Sequence, residues 1–236
     1  MVYRFINTLY YLKLTQVYYQ LWYRLKYTFI NRRSFVDNYS PGNKLNWRYP
    51  VHSIDLFKKN NTFKFLNVTH HFEKNIDWNY RLHKKLWTYN LNYFDFLNQN
   101  DISKQEGLNL MFSYIEFERQ LDDGLESYPI SLRLINWIKF ISKHEIRDVK
   151  IDSILARHLS VLNKNLEYHL LGNHLLENGF ALLFGAYYFG NETIYSRSKR
   201  LLESELNEQI LNDGAHFELS PMYHQLLLTR LLDCVN

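Results

Sequence analysis

A chain of 236 residues that is 46% hydrophobic allows one large domain, or one domain with an appendage, and is apolar enough to bury a sizeable core. Its formal net charge of +4 falls short of the clustered basic face that nucleic acid prefers, so no nucleic-acid partner is expected, although an anionic substrate remains compatible if charge collects locally. The single cysteine, Cys234, excludes an intrachain disulfide framework.

Four Pro and eight Gly leave long stretches free to be helical. The 19 Tyr, 16 Phe and 5 Trp admit two readings: an aromatic-rich helical core, or a sugar-binding cleft in which ring faces pack on sugar C–H faces while Tyr keeps a polar handle.

Residues 1–33 carry Arg4, Lys13, Arg24, Lys26, Arg32 and Arg33, with no acid before Asp37. There is no clean apolar h-region with a cleavage site and no 18-residue apolar run, so neither a secretory signal nor a spanning helix is expected. Residues 3–30 read as one or two amphipathic helices, with Tyr, Leu and Trp on a stripe over 9–29 interrupted by Lys13, Gln16 and Gln20. Such a basic, aromatic helix either docks on its own domain or lies on a membrane surface. The polar stretch 38–50, with Pro41-Gly42, reads as a linker, dividing the chain into an N-terminal segment, 1–45, and a main domain, 46–236.

Partial alternation over 62–72 (Phe63, Phe65, Val68) predicts a short strand pair, and Leu86, Tyr89, Tyr93 and Phe96 fit helical spacing. Ser103 with Glu106 three residues on resembles a capping box, opening a helix to about residue 121, where Asp122-Asp123-Gly124 stops it. Pro129 sits in a helical first turn, followed by apolar spacing to residue 143. The next helix is predicted over 148–171, with Gly172 ending or breaking it. Residues 174–189 read as a helix buried on most sides. Gly190-Asn191 turns the chain, and 193–211 forms an amphipathic helix with Leu201, Leu202, Leu206 and Ile210 on its inner face. Ser220-Pro221 opens a last helix, with apolar Leu227, Leu228, Leu231 and Leu232, still in full pattern at Asn236. Successive helices of this kind predict an all-α fold of helical hairpins in a ring or solenoid, and the uncapped last helix suggests a sequence cut short.

Two polar islands interrupt this apolar context: YHLLGNHLLENG at 168–179 and DGAHFELSPMYH at 213–224. In the first, Asn173 and Glu177 are four apart and His174 and Glu177 three apart, so one helix face would carry all three, with His169 a turn upstream. The Asn173 amide could hydrogen-bond a substrate carboxylate without changing protonation. His174 could assist it or accept a proton, and Glu177 could orient His174 by accepting its second N–H. The competing reading is a helix N-terminus capped by Asn and His. In the second island, Tyr223 falls in the first turn of a helix, where the dipole favours negative charge and suits it to proton transfer. His216 and His224 flank it, and Glu218 could position either; a buried Tyr with a satisfied hydroxyl is the alternative. His169, His174, Glu177, His216, Glu218 and His224 are metal-ligand types, but no well-specified metal spacing is present, so neither a metal nor a cofactor is expected.

With WTYNLNYFDF at 87–96 and YPISLRLINW at 128–137, the phrases GNHLLENG at 172–179 and DGAHFELSPMYH at 213–224 resemble the heparinase II/III family of polysaccharide lyases, which includes related alginate lyases. The resemblance spans roughly residues 60–236, and the first 45 residues look like the leader of relatives without a signal peptide. It implies an incomplete (α/α) toroid of helical hairpins, normally followed by an antiparallel β-sandwich, and cleavage of acidic, uronate-containing polysaccharides by β-elimination. By resemblance, Asn173 and His174 match the carboxylate-neutralising pair, with His174 also a candidate base. Tyr223 matches the acid, or base and acid together, and Glu177 a helper carboxylate near the histidine. Arg133, Asn136 and Trp137, with Tyr89, Asn90 and Asn92, are expected to line the cleft.

The family also draws a catalytic His or Tyr from the β-sandwich, which this chain lacks, so a truncated frame, a fragment or half of a split protein is expected, with low activity alone. A non-catalytic glycan-binding or polysaccharide-assembly protein, and a helical scaffold without a ligand, stand as alternatives. The lack of a signal points to the cytoplasm, and the family habit to the periplasm.

Overall fold

Eight α-helices and one small sheet, with two short 3-10 turns, make up the regular structure of the described residues. The computed structural model describes residues 12–29, 39–43, 45 and 56–235, with the backbone alone for 27–29. The helical turns predicted before residue 12, and most of the predicted linker, lie outside the described residues.

Helix α1 (Leu14–Phe29) is docked on the domain by polar and ring contacts. Strands β1 (Phe57–Lys58), β2 (Thr62–Phe65) and β3 (Val68–His71) form an antiparallel sheet in chain order. Phe63 pairs with both Phe57 and His70. The β2–β3 turn is Leu66-Asn67, both at positive φ (53° and 61°), as a two-residue hairpin of primed type requires. The strand pair expected over 62–72 is therefore present, joined by a third strand the alternation did not announce. Its Phe57, Phe63, Phe65 and Phe72 are buried against Trp87 and Phe96, which fixes the sheet to the helices.

Helix α2 (Lys85–Tyr93) stops where Phe94 turns left-handed (φ 62°), and a 3-10 turn, Asp95–Asn98, follows. Helix α3 (Lys104–Phe117) opens on the predicted box: Ser103 Oγ accepts from the Glu106 N–H at 3.2 Å, and Glu106 accepts from the Ser103 N–H at 3.1 Å. Helix α4 (Ser127–Lys143) is buried along nearly its whole length. Helix α5 (Val149–Lys164) is capped by Asp148, which accepts from the backbone of Lys150 and Ile151. Helix α6 (Gly172–Phe189) packs on α4, α5 and α7. A tight turn at Gly190-Asn191 makes α6 and α7 (Glu192–Gln209) a hairpin, with Asn191 capping α7. Helix α8 (Pro221–Val235) completes the described chain. The fold is thus mostly helical, built of successive hairpins as in an all-α toroid, with α6 in its middle.

Three expectations are corrected. The predicted helix over 148–171 ends at Lys164, and residue 172 begins a helix rather than ending one. The backbone of the intervening segment is claimed by side chains from elsewhere. Ser127 donates to the Asn165 carbonyl, Tyr23 to that of Leu166 and Gln16 to that of Leu170, while Asn178 accepts from the Glu167 N–H.

Arg133, Asn136, Trp137 and Asn92 do not line a cleft; all four are fully buried. Arg133 donates to the carbonyls of Asn92 and Gly124 at 2.9 and 3.0 Å and lies over the Tyr114 ring. Asn136 donates to the Tyr93 carbonyl and to Asp95, and Asn92 to the carbonyls of Trp78 and Thr88. Trp137 packs edge-on against Phe94 and Tyr114. Buried amides and guanidinium groups close backbone gaps where helix ends meet, because an unpaired buried carbonyl costs free energy. In α8, Leu227 alone of the four predicted apolar positions is buried; Leu228 and Leu232 are exposed and Leu231 is half-buried.

Candidate active site

Gly172 (φ 53°) follows Leu171 (φ 61°), and this double left-handed step swings the chain into α6, so that Asn173 and His174 fall in its first turn. Both are half-buried. Asn173 Nδ2 lies 3.3 Å from the hydroxyl of Tyr128, in the first turn of α4. The Tyr128 ring packs on the His174 imidazole at 4.5 Å between centroids. Burial first, then the Glu177 carboxylate, pushes the Tyr128 pKa up, so this phenol stays protonated as a hydrogen-bond donor. A row of rings leads away from His174: Tyr128 to Tyr93 at 5.9 Å, and Tyr93 to Tyr89 at 6.4 Å. Tyr89 is half-buried and donates to Glu126 at 2.6 Å; the adjoining Asn90, also half-buried, donates to the Leu86 carbonyl of its own helix.

The carboxylate beside His174 is Glu167, not Glu177. Glu167 Oε1 is 3.5 Å from His174 Nδ1, and its other oxygen is held by the Asn178 amide at 3.0 Å. Glu177, expected to orient the histidine, is instead buried against Arg230 of α8, whose Nε donates to its two oxygens at 2.9 and 3.2 Å. Burial raises the Glu177 pKa and Arg230 pulls it back. Burial works against the Arg230 charge as well, but Glu177, Asp95 and Asp233 outweigh it and hold the guanidinium firmly protonated. Asp233 in turn receives both bonds from Lys139 of α4 at 2.8 Å. One buried chain of alternating charges therefore ties α4, α8 and α6 together, reaching α6 at Glu177, one helical turn on from Asn173.

The second island meets the first at its edge. The Glu218 carboxylate comes within 3.8 Å of where a Cβ on Gly172 would stand. His216 is buried, accepting from the Glu218 N–H on Nδ1 and facing Gln209 at 3.3 Å with Nε2; burial depresses its pKa, with Glu218 opposing and His224 adding to that effect. Tyr223 is half-buried in the first turn of α8, its ring 6.0 Å from that of His216. His224 and Glu218 are exposed. Among the described residues, no hydrogen bond joins Tyr223 to Asn173 or His174; the structure brings Asn173, His174 and Tyr128 together, and separately Tyr223 with His216. His169 packs against Tyr23 of α1. Among the described residues, no group of three or more His, Cys, Asp or Glu could hold a metal ion.

Tyr128, Glu167 and Arg230 escaped the site reading of the sequence. Arg230 and Asp233 did carry a signal: they are the sole charged residues in the apolar run of α8, and isolated charges in such a run are seldom buried without a partner.

The family model described as Heparinase II/III N-terminus matches residues 133–236, from the middle of α4 through α8. No curated protein and no solved structure matches the chain. The matched stretch contains both polar islands and the charge chain of Lys139, Asp233, Arg230 and Glu177, and over residues 133–236 the chain is similar to a heparinase II/III N-terminal domain.

Proposed function

We propose that this domain binds a uronate-containing acidic polysaccharide and cleaves it by β-elimination. The reading rests above all on one observation: a neutral amide (Asn173) and an imidazole (His174) stand side by side at a helix N-terminus, half-open to solvent, beside the protonated phenol of Tyr128. A uronate carboxylate placed there would accept hydrogen bonds from the amide and the phenol, and the helix N-terminus favours its charge. Neutralising that carboxylate makes the C5 proton removable, because negative charge develops on it as an enolate in the transition state. His174 or Tyr223 takes the C5 proton, Tyr223 returns a proton to the departing O4, and a 4,5-unsaturated sugar is left. Tyr128 and Tyr89, half-buried on either side of the buried Tyr93, offer faces for neighbouring sugars.

The test is to incubate the protein with heparan sulfate, alginate and hyaluronan and follow the unsaturated product by ultraviolet absorbance. An absorbance rise that disappears in Asn173→Ala and in Tyr223→Phe supports the proposal. Binding of an anionic oligosaccharide with no product, unchanged by Tyr223→Phe, supports a second reading, a glycan-binding module. That reading is favoured by the placement of Tyr223 against His216 rather than in hydrogen bond with the Asn173–His174 pair.

A further inference from the structure

Helix α1 is mounted the wrong way round for a helix that merely covers a core. Leu14, Tyr18, Leu21, Trp22 and Leu25 recur at the spacing of one helical face, and they are 88%, 61%, 60%, 48% and 61% exposed. The opposite face grips the domain. Tyr23 is buried and donates to the Leu166 carbonyl, Tyr19 stacks on Tyr168 at 4.7 Å, Gln16 reaches the Leu170 carbonyl, and Lys26 reaches the Lys164 carbonyl and Asn165. Lys13 pairs with Glu208. An ordinary surface helix turns its apolar stripe inward; here polar and ring contacts hold the helix and the leucines point to water.

We propose that this stripe is a docking surface for an anionic lipid bilayer. Charge complementarity favours that occupant: α1 contains no acidic residue, Arg24 stands beside the stripe, and the chain carries six basic residues and no acid before Asp37. Two copies pairing through the same face would set these cations against each other, whereas anionic headgroups would receive them. Trp22 and Tyr18 are the residue types that settle at the headgroup boundary, with an apolar body and a polar tip. No described helix is long and apolar enough to cross a membrane, and α1 is held along its length by the domain, so it would lie in the plane of the interface. The inference is independent of the lyase reading, since none of its residues belongs to that site.

The experiment is flotation of the full chain with phosphatidylcholine vesicles, with and without phosphatidylglycerol. Binding is expected to the anionic vesicles, weakened by added salt, and to fall about tenfold or more in Leu21→Ser/Trp22→Ser/Leu25→Ser and in the milder pair Leu14→Ser/Leu21→Ser. Circular dichroism should not change, because all the substituted side chains are exposed. Absence of flotation with anionic vesicles, or flotation equal in the variants, overturns the proposal. So does light scattering that finds a dimer which either variant turns into a monomer, since the stripe would then be covered by a second copy.

Discussion

Arg230 sits between two carboxylates with almost no access to water, and removing its charge alone would strand Glu177. Breaking one side of a buried pair typically costs about 3–5 kcal/mol, most of it the penalty of the orphaned partner. Arg230→Met should therefore lower the urea midpoint sharply, whereas Glu177→Gln/Arg230→Met should recover much of the loss by removing the stranded charge. A double variant no more stable than Arg230→Met would mean that the pair does not hold the two helices. The same geometry explains why Glu177 misled the sequence reading. Spacing of three from His174 fixes a shared side of the helix, but a carboxylate goes to the strongest partner within reach, and Arg230 lies 53 positions away in sequence. Asn173 and His174 could be read as a polar pair at the head of the apolar run that follows them, although Gly172 read as the end of the helix before. Tyr128 was not, because nothing local distinguishes it from the chain's other tyrosines.

At the scale of elements, boundaries written in local chemistry were readable and those imposed by tertiary contacts were not. The box at Ser103 falls where the sequence put it, and the helix expected from residue 148 does begin there, on a cap from Asp148. Ser103→Ala should cost about 1 kcal/mol, measured by thermal or urea unfolding, since one N-terminal N–H loses its acceptor; no change would mean that water replaces the cap. The end of α5 is different. Residues 165–171 keep helical spacing, yet Ser127, Tyr23, Gln16 and Asn178 bind their backbone and pull the segment out of the helix. Close helix contacts follow the same division. Gly107 looks like a weak point in α3, worth replacing by Ala for about 1 kcal/mol of helix propensity. A Cβ there, however, would lie 2.1 Å from Cζ of Phe140, which is itself buried. Gly107→Ala should consequently destabilise by about 1–3 kcal/mol through overpacking, and a gain in melting temperature would show that the Phe140 ring can move aside.

For the whole molecule, stability must follow pH through the groups that folding shields from protons. His158 is fully enclosed in α5; burial, then the charges of Arg133 and Arg157, hold its pKa well below 6.5, and neither ring nitrogen has a hydrogen-bond partner among the described residues. The unfolded chain takes up a proton there near pH 6.5 and the folded chain does not, so the unfolded state binds more protons and stability falls as pH drops below that value. Below about pH 6.5 this single group removes stability at up to about 1.4 kcal/mol per pH unit for as long as the folded imidazole stays neutral. Glu177 acts in the opposite sense: burial raises its carboxyl pKa above 4.5 despite Arg230, so the folded state takes that proton first and gains as pH falls. His70, His144 and His216, whose pKa values burial also lowers, add to the loss in any variant that keeps them. Comparison of urea midpoints for the native chain and His158→Leu isolates the one group. The variant's stability should fall less steeply between about pH 7 and about pH 5, by up to about 1.4 kcal/mol per pH unit, and parallel curves would mean that His158 takes up its proton inside the fold.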